Sequence, residues 1–182
     1  MRKYFVLSIL TLLTLSSFIF AITLLKTTVE ELTQESNLII LGTVQEVECR
    51  WENRVQGTIN TFITVNVFDY LKGTDDSRVV VKQLGGQIGD WGDVISGTPV
   101  LRKGDEVILF LVENKESYEI HSIALGLFRV YSNDLGEKMV INDLRNVNLI
   151  DPVTGNQVEA DEANPSFTLF TFLNQVRSYL SD

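Results

Sequence analysis

One histidine, one cysteine and a scatter of carboxylates are all this chain offers to the common catalytic and metal-binding constellations. His121 sits in Tyr-Glu-Ile-His-Ser-Ile, where alternation puts Tyr118, Ile120 and Ser122 on one strand face and His121 with Glu119 and Ile123 on the other. A Ser-His-carboxylate hydrolase needs a strained strand-turn-helix elbow to present its nucleophile. Ser96, in Ile-Ser-Gly-Thr, has no such setting. Two carboxylate pairs could run general acid–base chemistry, Asp90 with Asp93 and Glu46 with Glu48. The second pair reads as the wet side of a half-exposed strand. Asp90 and Asp93 could also touch calcium, but two carboxylates lack the oxygen count and spacing of a calcium loop. The single Cys49 excludes an internal disulfide and a multi-thiolate zinc site, and is expected to be buried as a small apolar side chain. No catalytic residue, metal or cofactor is therefore expected. A carboxylate-based hydrolase acting on a surface polymer is the enzymatic alternative.

The densest local signal is a loop. Gly85, Gly86, Gly89, Gly92 and Gly97 are five of the twelve glycines and fall between residues 85 and 97. No Gly-Lys-Ser/Thr follows, no helix opens with dinucleotide spacing, and the two aspartates oppose an anion. Two readings fit. In one, the loop is an exposed recognition element anchored by Trp91, with Gln87, Asp90 and Asp93 beside it, because tryptophan is enriched at binding hot spots. In the other, it is a crossover whose glycines permit positive φ and tight approach, with Trp91 and Ile95 plugging one end of a barrel.

The elements that must position this loop follow from hydrophobic period. Thr27 with Glu30 and Thr28 with Glu31 both carry capping-box spacing, which predicts a short helix ending near Asn37. Leu38 to Glu48 begins wholly apolar and then alternates, a strand entering and leaving a core, with Gly42 as a bend. Ile59–Tyr70 alternates, residues 72–77 read as a turn, and Arg78–Leu84 forms the next strand. Glu106–Val112 reads as a central buried strand, followed by Tyr118–Leu125, Leu127–Tyr131 and a short piece at Lys138–Ile141. From Phe167, the spacing of Phe167, Phe170, Leu173, Val176 and Leu180 predicts an amphipathic helix at about 167–180 after Pro165-Ser166. Sequential strands on short turns argue for an antiparallel meander or small barrel of five to six strands.

The first residues read as an export signal. Arg2 and Lys3 precede an uncharged run from Tyr4 to Leu25, and Ala21 supplies a small residue for cleavage. Residues 1–21 are thus expected to be a signal peptide, leaving 22–182 as one domain; the competing reading is an uncleaved anchor extending to about residue 25. Either way the rest of the chain is placed in the periplasm, at the cell surface or outside the cell. With 24 acidic against 15 basic side chains the net charge is −9, and removing the leader subtracts only bases. So acidic a field disfavours nucleic acid and anionic lipid, leaving an extracytoplasmic protein or peptide as partner and membrane contact only through an uncleaved signal.

The stretches SNLIILGTVQEVECRW, TFITVNVFDYLKG, VVVKQLGGQIGD, VISGTP, KGDEVILFL and ALGLFRV together resemble a group of uncharacterised exported bacterial proteins. The glycine-bent strand, Lys72-Gly73 turn and Gly104-Asp105 strand are more distantly similar to the netrin-like module, which includes the tissue inhibitors of metalloproteinases. That likeness implies a five-stranded, partly open OB-like barrel, so the expected fold is mainly β, this barrel with the short N-terminal helix and the C-terminal amphipathic helix read above. Those inhibitors reach zinc through an N-terminal cysteine on a disulfide-stapled module. Here the mature start would be Ile22-Thr23 and Cys49 stands alone, so zinc chelation is not implied. The expected function is non-enzymatic recognition of a protein or peptide outside the cytoplasm, with inhibition or assistance of a co-exported protease as an alternative.

Overall fold

Leu38-Ile39-Ile40-Leu41 is apolar throughout because both of its faces are buried. Leu38 and Ile40 join Val107, Leu109 and Leu111 in one core, while Ile39 and Leu41 join Ile108 and Phe110 in a second. The computed structural model describes residues 22–73, 77–115, 117–142, 144, 147–158 and 165–181. The signal assigned to residues 1–21, and the middle of the 72–77 turn, lie outside them.

The chain is mainly β. In chain order the elements are β1 Ile22–Leu25, α1 Val29–Glu35, β2 Leu38–Asn53, β3 Thr58–Lys72, β4 Arg78–Leu84, β5 Gly86–Ile88 and β6 Trp91–Asp93. They continue with β7 Glu106–Asn114, β8 Ser117–Ile120, β9 Leu127–Ser132, β10 Lys138–Asn142, β11 Val147–Ile150, β12 Gln157–Val158, β13 Phe167–Thr168 and α2 Leu169–Tyr179. The large sheet has the order β13-β10-β9-β7-β2-β3-β4-β8, and β8 also pairs with β7, so five strands close a ring. The closure between β4 and β8 is a single parallel bridge, Val81 to Tyr118. Val44, Ile63, Val65, Val79 and Val81 fill the ring with the β7 residues. On the outer face of the ring, Ile39 and Leu41 of β2 and Ile108 and Phe110 of β7, continued by Phe128 and Val130 of β9 and Val140 of β10, meet Leu32 of α1 and Phe172 and Val176 of α2.

Thr28 caps α1 by the second of the two expected boxes: its Oγ1 accepts from the Glu31 amide, and Glu31 accepts from the Thr28 amide at 2.8 Å. The Thr28 amide, and the Thr28 hydroxyl donating to the same carboxylate at 3.0 Å, hold the Glu31 carboxyl below its ordinary value. At the other end, Lys72 Nζ of β3 donates to the Thr33 and Gln34 carbonyls at 2.8 Å each, a cation on the helix's negative end. Arg177 Nη2 of α2 meets Asp69 of β3 at 2.6 Å, tying the second helix to the same strand.

Three expectations change. The strand predicted over Tyr118–Leu125 stops at Ile120, and residues 121–126 turn instead, with Ser122 and Ile123 in the left-handed region at φ 50° and 60°. The reason is non-local. β7 pairs β9 through Glu106–Leu109 and β8 through Leu111–Asn114, so the connecting chain must fold back over Phe110. Phe110 donates to the Gly126 carbonyl and accepts from the His121 amide. His121 is thus in a turn, its Nε2 3.4 Å from Glu35 of α1, and does not share a strand face with Ile123. Secondly, Phe167 belongs to a strand on Val140, so the helix begins at Leu169 with Thr168 as N-cap. Its buried face carries Phe172 and Val176, and Phe170 is 76 % exposed. Thirdly, a small sheet was not expected: Ile22–Leu25, the last residues of the apolar leader run, lie parallel to Val147–Ile150, which also pairs Gln157–Val158. Among the described residues no helix is long and apolar enough to cross a membrane.

Candidate functional site

β2 outruns its cover. β7 pairs it only from Leu38 to Thr43, and a bulge between Val44 and Glu46 then redirects the strand. Beyond the bulge, Val47, Cys49 and Trp51 stand opposite Ile63, Thr61 and Ile59 of β3. Val81 and Gln83 of β4 continue the rows of Ile63 and Thr61. Directly paired residues share a face, so these side chains form one floor that prolongs the inner surface of the ring.

The glycine-rich loop roofs this floor. β5 and β6 form a two-stranded ribbon whose turn is Gly89-Asp90, braced by Gln87 Nε2 donating to the Gly89 carbonyl at 3.0 Å. The ribbon is tied down at its root. The Gly85 amide donates to the Ile59 carbonyl at 2.9 Å, and Thr61 Oγ1 donates to the Gly85 carbonyl at 2.7 Å. Cys49 Sγ lies 3.4 Å from the same hydroxyl. Gly86 is required here twice over: its φ is 145°, and a Cβ would stand 2.6 Å from Thr61 Oγ1 and 2.8 Å from Cys49 Sγ. Farther along, the Pro99 carbonyl accepts from Gln83 Nε2 at 2.8 Å.

Between floor and roof is a cleft of about 330 Å³, lined by Val47, Cys49, Thr61, Ile63 and Gln83 below and by Gly85, Gly86, Gln87, Gly92, Asp93, Val94, Ile95 and Thr98–Leu101 around it. A mostly apolar concavity of this size with a few polar groups is the usual form of a ligand site. The plugging role anticipated for Trp91 and Ile95 belongs to another residue. Leu101 is 5 % exposed and packs in the ring core, whereas Ile95 is 37 % and Trp91 70 % exposed. The ribbon extends out over the floor strands and cannot reach inward, so Trp91 stands outside, edge-on to Trp51 with ring centroids 6.4 Å apart.

Of the residues singled out from the sequence, Gln87, Asp93, Gly85, Gly86 and Gly92 line the cleft, and Trp91 rises from its roof. Asp90 and Gly89 lie exposed at the ribbon turn and Gly97 at a bend with φ 76°. Asp90 and Asp93 therefore do not converge across the cleft. The strand floor and Trp51 escaped sequence reading, because their common face depends on the register that the Val44/Glu46 bulge sets. On the opposite face of the floor, Arg50 bonds Glu48 at 2.6 Å and lies over the Phe62 ring, and Lys82 bonds Glu52 at 2.9 Å. Each cation holds its partner carboxyl below the ordinary value, and Asn60 helps at Glu52. Among the described residues no group of three His, Cys, Asp or Glu side chains could hold a metal.

Gly86→Ala is expected to lift the ribbon root, at a stability cost of about 1–3 kcal/mol, and to speed the reaction of Cys49 with a thiol reagent under native conditions. Wild-type thiol reactivity in that variant would mean that the ribbon does not lie on Cys49. Compared with known proteins, the chain matches no family model and no curated relative, so the geometry of the cleft is the basis for assigning it a role.

Proposed function

We propose that this chain is an exported binding module without catalytic activity of its own, which grips a protein or peptide partner at the cleft beneath the β5–β6 ribbon. The ring supports an OB-like barrel: β2, β3 and β4 meander, and the chain then crosses over so that β7 returns beside β2 and β8 lies parallel to β4. Export is supported by the charged-then-apolar leader, Arg2 and Lys3 followed by the uncharged run to Leu25. The net charge of −9 directs the choice of partner away from nucleic acid.

One observation carries the reading: an apolar cleft whose roof holds Trp91 out in solvent with Val94 and Val100 exposed nearby. Burying such a group against a partner returns more than leaving it wet, and centrally placed tryptophans dominate interfaces. In capture from the exported fraction, Trp91→Ala is expected to weaken partner retention by about 2 kcal/mol, roughly 30-fold, with the unfolding midpoint unchanged. Equal retention by both proteins removes the loop from the account.

A further inference from the structure

The strand that floors the cleft has a second recognition feature, its free edge. After Thr43 no strand among the described residues pairs the side of β2 that faces away from β3, although Gly104 and Asp105 still bond Val44. From Glu46 to Trp51 the strand runs regularly between two bulges, and alternate N–H and C=O groups point outward. Long bare edges are liabilities that proteins blunt with charge. Here the charge is confined to one face: Glu46, Glu48, Arg50 and Glu52 lie there, and Val47, Cys49 and Trp51 lie on the other.

Resting on the proposed binding role, we infer that this edge accepts the partner as an added β-strand, an extended segment with apolar residues alternating with basic ones. Backbone hydrogen bonds to the outward groups supply affinity, and side chains at alternate positions supply selectivity. The apolar set falls beside Val47, Cys49 and Trp51, within reach of Trp91, which packs on Trp51. The basic set falls beside Glu46 and Glu48. Among the described residues Glu46 makes no ion pair, although Arg78, Arg102 and Lys103 line the same surface hollow, so it is the carboxylate left for a partner cation and its pull on that cation is modest. A second copy of this chain is the wrong occupant, because each copy carries −9 and two such fields repel.

The probe is a short synthetic peptide alternating valine with lysine, added to the protein without its leader. Hydrogen exchange at alternate amides between Glu46 and Asn53 is expected to slow about tenfold at saturation. A fully N-methylated peptide of the same sequence is expected not to bind. Glu46→Lys is expected to weaken the lysine peptide about two- to fivefold and to strengthen a valine–glutamate one. Binding without protection of those amides, equal binding of the N-methylated peptide, dimerisation through the edge, or no binding at about 1 mM overturns the inference. Loss of partner capture in Trp91→Ala with unprotected β2 amides leaves the cleft standing and removes only the edge. Protected amides with full capture by Trp91→Ala do the reverse.

Discussion

Phe172→Ala is expected to lower the unfolding free energy by about 3–5 kcal/mol and the melting temperature by about 10 °C. Phe172 is fully buried, with its ring 4.7 Å from Phe128, 6.4 Å from Phe110 and 6.2 Å from Phe167, centroid to centroid. It therefore joins α2 to β7, β9 and β13 through one side chain. Truncation removes the transfer energy of the ring and leaves a hole among three other aromatics, none of which can fill it without leaving its own contacts. Phe170, two residues earlier on the same helix, projects into solvent, and Phe170→Ala is expected to change stability by no more than about 0.5 kcal/mol. Chemical denaturation of the two variants decides the helix phase: equal costs would place the wrong face of α2 against the sheet.

That pair also marks how far the sequence could be read. Apolar spacing located α2 but set its phase from Phe167, which the sheet claims as a β-residue opposite Val140. Once Thr168 caps the helix, the period of 3.6 brings Phe172 and Val176 inward and turns Phe170 out. Long strands were legible because their burial is regular: the solid apolar runs of β2 and β7 send alternate residues into the two cores. β1, β11 and β12 were not, since strands of two to four residues carry too little periodic signal. For the site, glycine density and a tryptophan marked the roof. The floor needed knowledge of which β3 residue faces Cys49, and a bulge fixes that through backbone pairing without any side-chain signature.

Gly126→Ala tests the junction that made the other large departure. A Cβ at this position would stand 2.6 Å from the His121 carbonyl oxygen, 2.8 Å from that of Phe110 and 3.0 Å from the His121 nitrogen. All three are backbone atoms, and they belong to the hydrogen bonds by which β7 exchanges β9 for β8: His121 to Phe110 at 2.9 Å and Gly126 to His121 at 2.9 Å. No side chain can rotate aside, so relief requires the 121–126 turn to move off Phe110. The turn already holds Ser122 and Ile123 at positive φ, a strain that persists only while these bonds over-determine it. Overpacking and weakened bonds together are expected to cost about 2–4 kcal/mol. Because β8 closes the ring on β4 by one bridge, moving the turn also frees that closure, and amides of β8 are expected to exchange faster than those of β3. Gly92→Ala is the control, since a Cβ there meets nothing within 4 Å. If the two variants unfold at the same denaturant midpoint, the chain does not cross Phe110 this closely, and the partner exchange along β7 is not what ended the strand at Ile120.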